Sequence, residues 1–193
     1  MHLQFSDLDI LCADCILQNV QVRDNQGHRG LFVNRNIGKG CIVYTTLTVL
    51  VDADANITYK PAEIPEVKVD HVAHLTNVCQ VNANGAELFE FTYFDIFLNN
   101  SCDPNVYYLD CNDNKQTVVA LRDIVEGEEL VVDYDGLDYI STDPFECTCD
   151  TARCTGQKRG FAFLTRSQQQ DYLHRGIVTP YVIAHQAEDK GKS

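Results

Sequence analysis

Apolar runs in this chain are short, and turn residues bound almost all of them. Leu31-Phe32-Val33 follows a glycine-marked turn at Gly27-His28-Arg29-Gly30. Ile37-Gly38-Lys39-Gly40 leads into Cys41-Ile42-Val43-Tyr44, and residues 46–51 are rich in β-branched side chains. Val20-Gln21-Val22 alternates as a strand does. Asn82-Ala83-Asn84-Gly85, between apolar residues 78–81 and 88–94, predicts a hairpin because Asn and Gly tolerate positive φ. Asn112-Asp113-Asn114-Lys115, between 106–109 and 116–121, predicts a second. Many short strands with frequent turns predict a mostly β fold, a β-rich α+β domain. Helical signal is confined to residues 67–75 and to a stretch capped by Ser167. Residues 187–193 read as a frayed tail.

One stretch departs from this rhythm. Leu98-Asn99-Asn100-Ser101-Cys102-Asp103-Pro104-Asn105 packs amides, a hydroxyl, a thiol, a carboxylate and a proline between two apolar runs. Such residues bend the backbone or bond to it locally, so a turn is expected. Two later stretches carry comparable chemistry: Glu129-Leu130-Val131-Val132-Asp133-Tyr134 and Cys147-Thr148-Cys149-Asp150-Thr151-Ala152-Arg153-Cys154.

The net charge of −13 argues against direct nucleic-acid binding, which needs a basic surface, and suits a basic peptide or protein. No apolar run approaches the roughly 20 residues that span a bilayer. The first residues lack a signal peptide's basic start and apolar core. The expectation is an intracellular protein of the nucleus or cytoplasm, without a membrane partner. Its nine cysteines, in a reducing compartment, favour metal binding over disulfides. Cys41, Cys79 and Cys111 stand apart and read as buried, unreactive thiols. Cys12 and Cys15 form a lone C-x-x-C that reads as structural.

Cys147, Cys149 and Cys154 form C-x-C-x4-C, close enough for three thiolates to reach one cation. Zinc takes four ligands in a tetrahedron. The fourth comes from elsewhere in a closed structural site, or stays open in a catalytic one.

Taken together, Asn-x-Ser-Cys-Asp-Pro-Asn (99–105), Glu-Leu-x-x-Asp-Tyr (129–134) and C-x-C-x4-C (147–154) resemble the SET-domain protein-lysine methyltransferases with a post-SET zinc loop. The resemblance covers about residues 25–160. It implies a SET domain over 25–140, a post-SET loop over 141–165, an N-terminal segment over 1–24 and a C-terminal helix and tail over 166–193. It implies that the chain carrying 129–134 passes through the loop around 99–105 in a knot-like threading. It implies S-adenosylmethionine on one side, held by Asn99, the backbone of Asn100 and the Arg29-Gly30 turn, and a lysine entering from the other. Tyr134 matches the catalytic tyrosine and Cys102 the fourth zinc ligand. Phe161, or after it Phe163, would pack on the cofactor, with ordinary core packing the alternative. Tyr44 and Val132 would line the substrate channel.

Several positions depart from the family pattern. His28 stands where the first glycine of Gly-x-Gly is usual. Asn100 replaces a common histidine, Ile96 an arginine, and Val43 an acid before Tyr44. Val132 replaces an aromatic that narrows the lysine pocket. The reading is a methyltransferase acting on a protein lysine, a histone tail being one candidate, with one structural zinc. The competing readings are an inactive SET-like binding module and a SET-fold enzyme acting on a small molecule.

Overall fold

The computed structural model describes residues 19–25, 28–51, 57–59, 79–83, 86–92, 97–109 and 115–191. The expected helix over 67–75, Cys12, Cys15, Ile96 and Cys111 lie outside the described residues, as do the side chains of His28 and Cys79.

Strand β1 (Val20–Asn25) and β2 (His28–Val33) form an antiparallel hairpin, with Asn25 opposite His28 and Val20 opposite Val33. The pairing corrects one expectation. Arg29 and Gly30 are not in a turn but inside β2, opposite Asp24 and Arg23. Val20, Leu31, Phe32 and Val33 are buried, so the end of β2 is covered on both of the faces between which its side chains alternate.

The two runs expected at 41–44 and 46–51 are one strand, β3 (Ile42–Val51). Its length lets it serve partners in succession. Short β4 (Ile57–Tyr59) pairs with its far end. The hairpin of β5 (Cys79–Ala83) and β6 (Ala86–Thr92) pairs through β6 with residues 48–51. Beyond β7 (Asn99–Asn100), β8 (Val106–Leu109) and β9 (Lys115–Ala120) form the second hairpin, and β9 pairs with residues 42–47. The largest sheet thus runs β5-β6-β3-β9-β8.

Residues 124–130 return beside β2. Leu130 N donates to Leu31 O at 2.7 Å and Val33 N to Glu128 O at 3.0 Å. β10 (Val131–Val132) then pairs in parallel with β7. Leu31, Val43, Leu98, Val106, Val118, Ile124 and Leu130 are almost wholly buried among these small sheets.

After a 3-10 turn at Tyr134–Gly136, the chain forms a small ribbon of β11 (Phe145–Glu146) and β12 (Gln157–Lys158). Two helices follow, α1 (Arg166–Arg175) and α2 (Pro180–Gly191). Helix α1 is capped by Thr165, two residues before the expected Ser167. Thr165 and Gln168 make a reciprocal capping box, which satisfies two backbone donors at once. Gly176 closes the helix at φ 68°. The expected frayed tail is helical through residue 191. Thr179 accepts from Val182 N at 3.4 Å, and Pro180 stands at the first helical position, where its fixed φ suits a helix. Phe161, Tyr172, Ile177, Tyr181 and Val182 form a second core between these helices and the preceding loop. No helix among the described residues is long and apolar enough to cross a membrane.

Gly136 is the tightest contact between the two cores. A Cβ there would stand 2.0 Å from Ile177 O. Gly136→Ala is therefore expected to destabilise the fold by about 3 kcal/mol through overpacking against backbone. Urea unfolding of the variant and the parent checks this.

Candidate active site and cysteine cluster

Loop 99–105 and the strand behind it bring most of the candidate residues together. Asn105 is 1% exposed and fully engaged. Its Nδ2 donates to Glu129 O at 2.7 Å and Glu128 Oε1 at 3.1 Å, and its Oδ1 accepts from Val131 N at 2.9 Å. Ser101 N donates to Val132 O at 2.8 Å and Asn105 N to Val131 O at 3.2 Å. The loop therefore grips the 129–132 segment through backbone and side chain together. Burial opposes the charge on Glu128, but Arg122, Asn105 and Val125 N bond to its carboxylate and hold its pKa below the ordinary value.

At one end of this grip, Asn99 Nδ2 donates to Arg29 O at 3.0 Å and Glu129 Oε1 at 2.6 Å. Gly30 is required here, since a Cβ on it would lie 2.4 Å from Glu129 Oε1. Arg29, Gly30 and Asn99 thus share one corner, joined by Glu129, a residue to which the sequence reading gave no role. At the other end, Tyr134 Oη donates to Leu98 O at 2.8 Å. Tyr134 N donates to Asn100 Oδ1 at 3.1 Å, and Asn100 Nδ2 donates to Cys147 Sγ at 3.2 Å. Asn100 ties the tyrosine to the cysteine loop, a bridge made by its side chain.

The sulfurs of Cys102, Cys147, Cys149 and Cys154 all lie within 4.8 Å of one another, with Cys102 and Cys147 3.8 Å apart. Four sulfurs about 2.3 Å from one zinc would sit about 3.8 Å apart in a tetrahedron. The cluster is compatible with one zinc ion. Burial raises the thiol pKa of Cys102, and burial also pushes Cys147 up to about 12. Burial acts the same way on Cys149, but bonds led by the Thr151 hydroxyl bring it down to about 6. Crowded thiols become favourable ligands when a cation replaces the protons they carry.

The loop is docked by buried charge. Lys158, 1% exposed, reaches Asp133 Oδ1 at 2.5 Å and Asp135 Oδ2 at 3.0 Å. Asp133 Oδ2 accepts from Tyr172 Oη at 2.6 Å, and Asp135 Oδ1 accepts from Arg159 N and Gly160 N at 3.0 and 2.8 Å. Gly160, at φ 99°, lies so close to Tyr139 O and Ser141 N that a Cβ would stand 2.7 Å from each. Burial works against the ammonium of Lys158, but the two carboxylates outweigh it and raise its pKa. Burial raises Asp133 despite Lys158. Outside, Arg153 and Arg175 each reach both Asp103 and Asp171, exposed pairs worth little singly.

Three further candidates are buried. Phe161 is wholly buried in the second core, its ring 6.4 Å from that of Tyr172, in line with core packing. Tyr44 is 2% exposed in the main sheet. Val132 is buried and borders a shallow cleft with Tyr108, Leu137 and Ile177. The aromatic beside Tyr134 is instead Phe145, whose ring meets it edge-on at 5.9 Å. The sequence signal for Phe145 is faint, an aromatic two residues before the first cysteine. Cys41 is exposed, against the expectation of a buried thiol, because it follows the Gly38–Gly40 turn at the start of β3.

The SET domain, as a family pattern, matches residues 28–135, more than half of the chain, and the chain belongs to the SET-domain family. A histone-lysine N-methyltransferase of Aspergillus oryzae, H3 lysine-36 specific, is 40% identical over 63 residues, which are 31% of this chain and 6% of that protein. A histone-lysine N-methyltransferase of Neurospora crassa, H3 lysine-4 specific, is 44% identical over 64 residues, again 31% of this chain and 5% of that protein. The chain thus spans about a twentieth of the length of these relatives. The crystal structure of the methyltransferase domain of the human histone-lysine N-methyltransferase SETMAR has the same fold. It superposes with a TM-score of 0.52 at 21% identity, over 72% of this chain and 58% of that one.

Two outcomes follow from the site's electrostatics. Burial, and then the charge of Asp135, push Asp138 up to about 7. An unfolded Asp titrates near 3.9. Between those values the native chain holds a proton that the unfolded chain has lost, so stability falls as pH rises, and the penalty is complete above about 7. Asp138→Asn is expected to stabilise the protein by about 1–2 kcal/mol at pH 8, after discounting for partial exposure, and to change little at pH 4. Chemical denaturation at both pH values checks this. Zinc-replete protein is expected to carry one metal per chain by atomic absorption. Cys102→Ser should lose that metal to a chelator that leaves the parent loaded, with faster amide exchange over residues 147–160.

Proposed function

We propose that the chain is an S-adenosylmethionine-dependent methyltransferase acting on the ε-amine of a protein lysine. The observation that carries this reading is the placement of the Tyr134 hydroxyl on the Leu98 carbonyl, one residue from the Asn99 amide that faces Arg29 O and Glu129. S-adenosylmethionine, when bound, supplies an electrophilic methyl group on a sulfonium. Asn99, the backbone of Asn100 and the Arg29-Gly30 segment of β2 would hold it, with Glu129 facing its positive charge. The Tyr134 oxygen, whose proton goes to Leu98 O, would accept an N–H from the acceptor amine. Leu98 O is a second acceptor at the same point. Together they orient the nitrogen and favour its location beside the methyl group. An in-line displacement asks chiefly for alignment and exclusion of water. Phe145 shields Tyr134 from one side, and a partly dry amine loses its proton more readily.

We read 25–140 as the SET domain, 141–165 as the post-SET loop and 166–193 as the helical extension, after an N-terminal segment at 1–24. The four cysteines would hold one structural zinc and so keep residues 147–154 folded beside Asn100. With a net charge of −13, the acceptor is a basic protein segment, histone tails being the first candidates, which would place the protein in the nucleus. The acidic balance gives no support to direct nucleic-acid binding.

Tyr134→Phe is expected to lower the rate of methyl transfer to a lysine-rich protein about 100-fold or more, while cofactor affinity stays within about twofold. Transfer of radiolabelled methyl groups to histone mixtures, beside calorimetry of the cofactor, checks both parts. Unchanged transfer would remove Tyr134 from the chemistry.

A further inference from the structure

Lys158 is a buried ammonium with no role in the scheme above. It stands in the polar stretch Gln157-Lys158-Arg159-Gly160. In the structure it lies at the end of β12, 1% exposed, between two carboxylates that are themselves 2% and 1% exposed. Those carboxylates belong to Asp133 and Asp135, the residues immediately before and after Tyr134. Among the described residues, the other hydrogen bonds to these carboxylates also come from outside the 97–132 framework or from their own turn. Asp133 takes the Tyr172 hydroxyl of α1 at 2.6 Å and its own turn's Asp135 N at 3.2 Å. Asp135 takes Arg159 N, Gly160 N and, at 3.5 Å, the Thr155 hydroxyl. The turn that carries Tyr134 is therefore held from below by the post-SET loop and α1, through one cation.

Stability alone does not call for this arrangement. Burying a cation and two carboxylates costs several kcal/mol in desolvation, and well-packed apolar residues of similar volume often replace such a group without loss. What a charged clamp adds is direction. The 2.5 and 3.0 Å contacts fix both neighbours of Tyr134 in distance and angle. Gly136, closed against Ile177 O, limits movement on the far side.

We propose that Lys158 is a positioning residue for the transfer reaction: its ammonium pins the carboxylates on either side of Tyr134 and so keeps the tyrosine hydroxyl on the Leu98 carbonyl. The reaction it serves is the one proposed above, but the positioning itself is a property of the folded chain and is measured separately.

The experiment labels the full, zinc-loaded chain with 3-fluorotyrosine and assigns the Tyr134 resonance by its loss in Tyr134→Phe. Lys158→Met and Lys158→Arg are then compared with the parent. In Lys158→Met that folds and carries one zinc, the Tyr134 resonance is expected to shift and broaden. Turnover should fall about 100-fold, the loss that an ångström of misplacement brings, with KM for the acceptor and cofactor affinity within about twofold. Lys158→Arg, which keeps the charge, is expected to recover most of both signals. A folded, zinc-loaded Lys158→Met with lower thermal stability but an unmoved Tyr134 resonance would overturn the proposal and leave Lys158 a structural residue. Should Lys158→Met fail to fold, Asp135→Asn takes its place, since it keeps an oxygen for Arg159 N and Gly160 N but removes the charge that faces Lys158. The Tyr134 resonance must then move relative to the parent, and an unmoved resonance again overturns the proposal. If the parent transfers no methyl group, the functional reading fails, while the fluorine spectra still decide whether Lys158 positions Tyr134.

Discussion

The hold of loop 99–105 on the returning strand is the interaction on which the rest of the structure depends. Asn105 is the centre of that hold. It is buried, and its amide satisfies one backbone donor and one backbone acceptor of the 129–131 segment while reaching the Glu128 carboxylate. A buried amide left unpaired costs about 1–3 kcal/mol, so this geometry admits few alternatives. Once β10 is registered against β7, Tyr134 must emerge beside Leu98, and Cys102 must face the loop that follows. The tyrosine, the amide corner and the fourth sulfur are three consequences of one strand register.

The second layer of the design is how the C-terminal part closes on that core. It does so with few apolar contacts of its own near the cysteines and with much polar bonding. The sulfurs draw residues 147–154 together, Asn100 joins them to Tyr134, and Lys158 joins the ribbon to the carboxylates around that tyrosine. Gly136 and Gly160 are the points of closest approach, each where a single added carbon would meet backbone. The helices then cover the outside with Phe161, Tyr172 and Val182. A metal-bound loop and a buried ion cluster are both ways of ordering a segment too polar to build a core.

Much of this was legible in the residues. Turn chemistry at Asn84-Gly85 placed the β5–β6 hairpin, because the conformation needed there is local. The cysteine spacing and the polar stretch at 99–105 marked the candidate site, because thiols, amides and prolines each restrict what a loop can do. Other features had no local signal. Gly30 looks like a turn glycine, yet it sits within β2 to admit the Glu129 side chain, a partner ninety-nine positions away in sequence. Lys158 carries no local signal of its burial, because its two carboxylates are more than twenty residues distant. Thr165 outdoes Ser167 as a cap because Gln168 answers it, a pairing that reveals itself when both ends of the box are considered. Phe145 meets the Tyr134 ring edge-on and pairs with Lys158 across β11 and β12, a placement fixed by strand pairing and not by any local signal.

The corner made by Arg29, Gly30, Asn99 and Glu129, beside Tyr134, is proposed to receive S-adenosylmethionine despite the unusual residues around it. Calorimetric titration of S-adenosylmethionine into purified, zinc-replete protein tests it most directly. Saturable binding with one molecule per chain, weakened when Asn99 is replaced by Ala, is the predicted result. A folded protein with one zinc per chain and no heat of binding would contradict the claim and leave a SET fold that serves as a scaffold.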